Sequence, residues 1–262
     1  MFEFHGDRKR YFDIQVVNTR KYVIPFIEKY KTLKPGTRVL EIGCGEAGVL
    51  KAFTDKGCVG VGVELDEPRL VMAREWMQEE LANDKIFFLS KDVYKVNVDE
   101  EFKGKFDIIV LKDVIEHIHD QPRLIAWMKT FLKEDGVIFF GFPPWQMPFG
   151  GHQQIMRGRF LSKLPYYHLL PMGIYKSILK AGKENVQEMV EIKETGISIE
   201  RFEKIVEQSG YEVVNKTHYL INPIYEYKFG WKPKVQSEWM SKIKYIRNYF
   251  TTCVYYLITP NK

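Results

Sequence analysis

The chain has 262 residues, 45% hydrophobic and 28% charged, a balance that supports a sizeable core and excludes global disorder. Its formal net charge of +5 suits an anionic small molecule or a membrane surface and falls short of a nucleic-acid-binding face. Cys44, Cys58 and Cys253 are too few and scattered for a disulfide framework or a metal cluster, no run reaches the ~20 apolar residues of a membrane span, and Met1 to Arg10 lacks a signal-peptide core; a cytoplasmic protein with reduced thiols and no metal is expected.

Residues 1–36 read as an N-terminal helical cap, one or two helices in which Val16, Tyr22, Val23, Phe26, Ile27 and Tyr30 can pack over a cleft. Residues 37–262 form the main domain. Its first strand is Arg38 to Ile42, followed by a helix from Gly48 to Lys56 and a second strand, Val59 to Glu64. Pro68 suits a first helical turn, and Leu70, Ala73, Met77 and Leu81 recur at helical spacing, which predicts a helix over Pro68 to Asn83. Strands follow at Ile86 to Ser90 and Phe106 to Leu111, then a helix at Gln121 to Leu132 and a strand at Gly136 to Phe142. This alternation predicts an α/β fold, a parallel sheet with helices on both faces.

The alternation then breaks. Residues 143–196 are too long for a plain loop and read as a functional insertion. Regularity returns with Ser198 as N-cap, Ile199, Phe202, Ile205 and Val206 as a helical stripe, and Gly210 as the stop. A strand at Tyr211 to Ile221 leads to a second insertion, 222–252, with an amphipathic helix expected from Ser237 to Phe250. A strand at Cys253 to Ile258 completes the pattern. The two insertions together are expected to form a substrate lid.

The strongest motif is Val39-Leu40-Glu41-Ile42-Gly43-Cys44-Gly45-Glu46-Ala47-Gly48, a strand entering a glycine-rich turn that opens a helix. Glu64 lies about 20 residues on, at the next strand end, where a carboxylate can accept from both ribose hydroxyls. Asp66 is a nearby rival, but Glu64 ends the apolar run directly. Together these predict an adenosine-containing cofactor, and a dinucleotide fits them as well. Glu41 two residues before the first glycine, Asp92-Val93 after the third strand, Phe106 to Ile118 around the fourth and Leu132 to Ile138 at the fifth narrow the choice. This ordered set resembles the class I S-adenosylmethionine-dependent methyltransferases, in the ubiquinone-biosynthesis-type, methyltransferase type 11-like branch. The likeness is close over Arg38 to Phe142 and loose over the last two strands.

The resemblance implies a Rossmann-like seven-stranded sheet, mostly parallel with the last strand antiparallel. It implies S-adenosylmethionine as cofactor and S-adenosylhomocysteine as product. Gly43, Cys44 and Gly45 would face the methionine part, Glu41 its amino group, Glu64 the ribose and Leu65 the adenine. Asp92 would take the adenine amino group, Val93 its edge, and the Lys112 main chain and Asp113 would lie near the methionine end. Gly48 is left to helix–sheet packing.

Methyl transfer from a sulfonium is an in-line displacement, so alignment does most of the work, and a base is needed only for some acceptors. His117, His119, His152 and His168 are candidate bases. His117 and His152 are preferred as catalytic residues, His117 for its place after the fourth strand and His152 because Gly150-Gly151 before it suits a mobile loop. His168 reads as packing. Trp145, Tyr166 and Tyr167 with Arg157, Arg159 and Lys163 suit an aromatic or anionic small-molecule acceptor, with oxygen as the expected atom of transfer. Trp239, Ile243, Ile246 and Phe250, flanked by Lys242, Lys244 and Arg247, read as a stripe that packs on its own domain or docks on an anionic membrane. Asn222-Pro223-Ile224-Tyr225 resembles a nucleic-acid methylation motif but stands after the wrong strand, so no nucleic-acid partner is expected. A peripheral membrane enzyme acting on a lipid or quinone-type precursor, an NAD-dependent oxidoreductase and a non-catalytic cofactor-binding protein remain open alternatives. So does the choice between monomer and dimer.

Overall fold

The computed structural model describes residues 7–153, 156, 158 and 160–261, so the cations Arg157 and Arg159 lie outside the described residues. Helix α1 (Arg8–Asn18) is capped by the Asp7 carboxylate, which accepts from the Arg10 N–H at 2.9 Å. A π-helical turn, Thr19–Val23, joins it to α2 (Ile24–Glu28). Val16, Val23, Phe26 and Ile27 are buried, as their pattern predicts, whereas Tyr30 is exposed.

β1 (Arg38–Ile42), α3 (Gly48–Thr54), β2 (Val59–Glu64), α4 (Glu67–Trp76), α5 (Gln78–Ala82), β3 (Ile86–Ser90), α6 (Val98–Glu101), β4 (Phe106–Lys112), α7 (Gln121–Trp127) and β5 (Leu132–Phe142) then alternate. The single helix expected over Pro68 to Asn83 is divided at Met77, which leaves helical geometry with its side chain fully buried. Core packing there outweighs the continuous helical period.

The first insertion holds α8 (Met172–Ala181) and α9 (Val186–Thr195) around a small core of Tyr175, Leu179, Met189 and Ile192. Next come α10 (Ile199–Gln208), with Ser198 Oγ accepting from the Arg201 N–H, and β6 (Tyr211–Ile221), entered through Gly210 at φ +70°. α11 (Tyr225–Phe229), β7 (Lys234–Val235), α12 (Glu238–Ser241) and β8 (Cys253–Pro260) finish the chain.

The sheet order is β3-β2-β1-β4-β5-β8-β6-β7. β1 to β5 pair in parallel, and β8 enters antiparallel between β5 and β6. Among the described residues the sheet therefore has eight strands where seven were expected. The additional one is the two-residue β7, a piece of the second insertion pairing antiparallel with β6 at the edge. Alternate residues of the central strands feed two cores. Ile109, Phe140 and Tyr256 face α7 and α10, while Ile108, Phe139 and Tyr255 face α3 and the N-terminal helices. Burial on both faces explains the nearly continuous apolar strands.

The second insertion departs most from expectation. In place of one helix over Ser237 to Phe250 there is the short α12, then Tyr245 at φ +66°, then a 3₁₀ turn over Ile246–Phe250. Its buried side is polar. Arg247 is 5% exposed and pairs with Glu200 at 2.9 Å and Glu203 at 2.6 Å, both on α10. Asn248 Oδ1 accepts the Ile199 N–H at 2.8 Å. With these groups holding the segment inward, Trp239, Ile243, Ile246 and Phe250 are left exposed. No helix among the described residues is long and apolar enough to cross a membrane.

Candidate active site

The turn after β1 brings the first set of expected residues together. Gly43 (φ +69°) and Gly45 (φ +53°) adopt the left-handed conformation that favours glycine. A Cβ on Gly43 would come within 2.6 Å of a Val114 methyl, and one on Gly45 would fall inside the Arg69 guanidinium. Cys44 between them is buried. Glu64, at the end of β2, reaches across: one oxygen accepts the Gly45 N–H at 2.8 Å, the other those of Leu65 at 2.8 Å and Asp66 at 3.1 Å. Glu64 rather than Asp66 is thus the carboxylate that touches the glycine turn. Arg69, from α4, lies over the turn, paired with Glu46 at 2.7 Å and near Glu64 at 3.8 Å.

Glu41 is buried beneath the turn. It accepts the Leu50 N–H in the first turn of α3, where the N-cap position is Ala47 and has no side-chain acceptor. Burial raises its pKa well above the usual carboxylate range, against the opposing charge of Lys112, and its Oε2 has no partner among the described residues. Gly48 has an ordinary φ. A Cβ there would meet the Phe12 carbonyl at 2.6 Å and the Gln15 Cβ at 2.7 Å, so it serves the close approach of α1 to α3. Asp92 accepts the Tyr94 N–H at 3.0 Å with one oxygen, Val93 is buried, and Leu65 is exposed at 71%.

The second set gathers where β4 ends. Lys112 Nζ pairs with Asp113 at 2.6 Å, and Asp113 turns the chain at φ +57°. Burial opposes the Lys112 charge, yet Asp113 holds its pKa above the usual lysine range. The 3₁₀ turn Ile115–His117 follows, fastened by Gln121 Nε2, which donates to the Ile115 and Thr195 carbonyls. Glu116 is 5% exposed, neither of its carboxylate oxygens has a partner among the described residues, and burial with Asp113 nearby raises its pKa. The His117 and His152 rings meet edge to face with centroids 4.8 Å apart. Burial pushes His152 down to about 4, helped by His117 and opposed by Asp113, and burial lowers His117 as well. His117 nevertheless remains open to solvent.

The two preferred histidines therefore meet, but the glycines before His152 work differently from expectation. A Cβ on Gly150 would collide with the Trp145 carbonyl, and one on Gly151 would strike His168. They permit tight packing rather than loop mobility. His168 is fully buried, its Nε2 2.8 Å from the Trp145 carbonyl and its Nδ1 2.9 Å from Gln153, which is the packing role its pattern predicts. His119 is exposed and outside the cluster.

Three neighbours escaped the sequence reading. Tyr11, from α1, interacts electrostatically with Lys112, Asp113, Arg69 and Glu46. Lys228, from α11, has its Nζ 5.0 Å from the Tyr11 ring centre, and burial lowers its pKa to about 8 despite Asp113. Neither has a local signal, since each reaches Lys112 and Asp113 from a distant segment. Glu116 did have one, a carboxylate immediately before His117 in the Asp113-Val114-Ile115-Glu116-His117 stretch.

A family model described as a methyltransferase domain matches residues 17–165, more than half of the chain. A ubiquinone biosynthesis O-methyltransferase of Coxiella burnetii (strain Dugway 5J108-111) is 29% identical over 117 residues, 45% of this chain and 47% of that protein. The chain thus spans about half the length of the curated relatives it matches. Among solved structures, an S-adenosylmethionine-dependent methyltransferase from Clostridium acetobutylicum ATCC 824 superposes with a TM-score of 0.58 at 13% identity, covering 94% of this chain and 92% of that one. A putative sarcosine dimethylglycine methyltransferase from Galdieria sulphuraria gives 0.61 at 12% identity over 94% and 86%. At these identities the structural matches speak for the fold.

Proposed function

The chain belongs to the methyltransferase domain family and has the class I S-adenosylmethionine-dependent methyltransferase fold, and on that premise we propose that it transfers a methyl group from S-adenosylmethionine to an oxygen of a small-molecule acceptor. The observation that carries this reading is the contact between Gly45 and Glu64, a left-handed glycine turn closed by the carboxylate of the next strand. The residues fit the cofactor. Glu64 Oε2 accepts only the Gly45 N–H and retains a lone pair for a ribose hydroxyl, while Oε1 is filled by Leu65 and Asp66; Asp92 has a second oxygen for an adenine amino group, and the unpartnered Glu41 oxygen would lie under the methionine end. Gly43, Cys44 and Gly45 would line that end with Lys112 and Asp113, and Leu65 and Val93 would flank the adenine.

When bound, S-adenosylmethionine supplies a methyl carbon already activated by its sulfonium. The protein's part is to align the acceptor, an effect worth roughly 7–11 kcal/mol, and to receive the hydroxyl proton. His117 and His152 are placed for the latter. Burial keeps His152 neutral at pH 7, and the Asp113 charge favours its imidazolium once a proton arrives. Lys228 would add a positive charge beside the Lys112–Asp113 pair, suited to an anionic acceptor. The insertions 143–196 and 222–252, with residues 1–36, would roof it.

Calorimetric titration with S-adenosylmethionine, S-adenosylhomocysteine and NAD tests the cofactor. Binding of the first two and not the third is expected; binding of NAD alone overturns the proposal. Transfer of labelled methyl to a panel of phenols and hydroxy acids then tests the acceptor class. The O-methyltransferase relative supports oxygen as the target.

One observation favours a second reading, an enzyme that works at a membrane surface. Trp239 is 64% exposed and Ile246 50%, beside the exposed Lys242 and Lys244. Aromatic and aliphatic side chains ringed by lysines suit an anionic interface. Flotation with phosphatidylglycerol vesicles at low salt, lost in Trp239→Ala, is the expected result; no flotation at low salt refutes it.

A further inference from the structure

We propose that Arg69 is a further specificity-determining residue of the cofactor site: with Glu64 it forms a donor–acceptor pair that reads one free ribose hydroxyl. The assignment deepens the methyltransferase reading and rests on it. Arg69 belongs to α4 but is fixed from the glycine turn. Its Nε donates to Glu46 Oε1 at 3.1 Å and its Nη2 to Glu46 Oε2 at 2.7 Å, a side-on pair. Glu46 follows Gly45, is 3% exposed, and is held from the other side by Arg8 of α1 at 2.9 Å. The guanidinium lies against Gly45, where only the absence of a Cβ leaves it room.

A guanidinium is planar and its donors form a rigid fork, so two committed nitrogens set the direction of the third. That third nitrogen, Nη1, stands 3.8 Å from Glu64 Oε2. This is the carboxylate oxygen that accepts only the Gly45 N–H. The spacing is too long for a hydrogen bond, yet a single oxygen atom can lie about 2.8 Å from both groups. Charges alternate along Arg8, Glu46, Arg69 and Glu64, so each carboxylate has a cation beside it and the arrangement holds without a ligand. Arg69 remains partly exposed, which leaves an approach to the gap.

A ribose hydroxyl has the two capacities this gap requires. It donates its proton to Glu64 Oε2 and accepts from Arg69 Nη1, and both bonds are charge-assisted. A ligand without that hydroxyl leaves a carboxylate and a guanidinium facing each other with nothing between them, which is how a site built around a hydroxyl rejects the analogue lacking it. Lysine could supply the charge but not the fork, because its single nitrogen cannot hold Glu46 side-on and reach toward Glu64 together. Arg69 carries no local motif signal, since its role depends on Glu46 and Glu64, which lie on two other elements.

The test is calorimetric titration of the full chain with S-adenosylhomocysteine and with its 2′-deoxy and 3′-deoxy analogues, for wild type, Arg69→Met and Arg69→Lys. Wild type should bind S-adenosylhomocysteine about tenfold or more tightly than one of the two analogues. Arg69→Met should weaken S-adenosylhomocysteine by about tenfold while changing that analogue by less than about threefold, and Arg69→Lys should weaken S-adenosylhomocysteine by about fivefold. A thermal melt shows whether each variant is folded, and Arg69→Lys carries the comparison if the methionine variant is not. Equal weakening of S-adenosylhomocysteine and both analogues, or full rescue by lysine, overturns the assignment and leaves Arg69 a brace of the glycine turn. A gain in affinity in Arg69→Met overturns it as well, because Arg69 would then compete with the ribose for Glu64. In each of these cases the methyltransferase reading stands; a wild type with no affinity for S-adenosylhomocysteine overturns that reading and this assignment with it.

Discussion

Replacing Glu64 with glutamine separates the structural work of this carboxylate from its proposed work on the ribose. In the wild type it accepts three backbone N–H groups, those of Gly45, Leu65 and Asp66. Glutamine presents one carbonyl oxygen and one NH₂ in the same shape. With the carbonyl kept toward Leu65 and Asp66, the NH₂ meets the Gly45 N–H, donor against donor. One charge-assisted bond of about 1.5–3 kcal/mol is lost and the other two become neutral, so the turn should be weakened by about 2–3 kcal/mol. If the same carboxylate holds the ribose, S-adenosylhomocysteine affinity should fall about 30–100-fold, since 1.4 kcal/mol is a factor of ten. Calorimetric titration gives the affinity and a thermal melt the stability. A lowered melting temperature with affinity within about threefold of wild type would refute the ribose assignment and leave Glu64 as a turn brace. No change in either would refute the hydrogen-bond geometry itself.

Gly48→Ala should wedge α1 away from α3, because the new Cβ would stand 2.6 Å from the Phe12 carbonyl; a loss of about 1–3 kcal/mol is expected in urea unfolding, and an unchanged midpoint would contradict it. Arg247→Ala strips the buried partner from Glu200 and Glu203 and should cost about 3 kcal/mol, toward the lower end for buried pairs because Glu203 stays partly open. Lys242→Ala, at an exposed pair with Glu238, should cost less than about 0.5 kcal/mol by the same measurement. His168 and His218 are driven down to about 4 from 6.5, chiefly by burial, so the unfolded chain binds more protons than the folded one between those values. The contribution of these two histidines should therefore be level above pH 7 and fall as pH drops from 6.5 toward 4; a melting-temperature difference between wild type and His218→Gln that stays constant from pH 7 to pH 5 would contradict this for His218.

The parts of the site that are local in sequence were legible there. The strand, the glycine turn and α3 are contiguous, and Glu64 lies one strand further on, so spacing alone placed them together. The alternation of strands and helices likewise predicts the parallel sheet, because strands buried on both faces must be apolar throughout while their covering helices carry a period. Period failed where packing reversed its meaning. The stripe of Trp239, Ile243, Ile246 and Phe250 predicts a helix with an apolar buried face, yet Arg247 and Asn248 find partners on α10 and pull the polar side inward. The Gly150-Gly151 pair reads as a flexible hinge, and only the positions of Trp145 and His168 show why no side chain fits there.

What the sequence determined by itself was the chain's family, its sheet and the glycine turn facing Glu64, since those follow from short-range spacing and from which residues exclude water. What the tertiary structure decided was the company each functional group keeps. Tyr11 from the first helix, His117 and Glu116 after β4, His152 from the first insertion and Lys228 from the second gather around Asp113 at the end of β4. No local rule relates them, because the contacts joining them are set by how the insertions and the N-terminal helix settle on the sheet. The same settling buries Glu116 with no hydrogen-bond partner among the described residues and sets His152 beside His117.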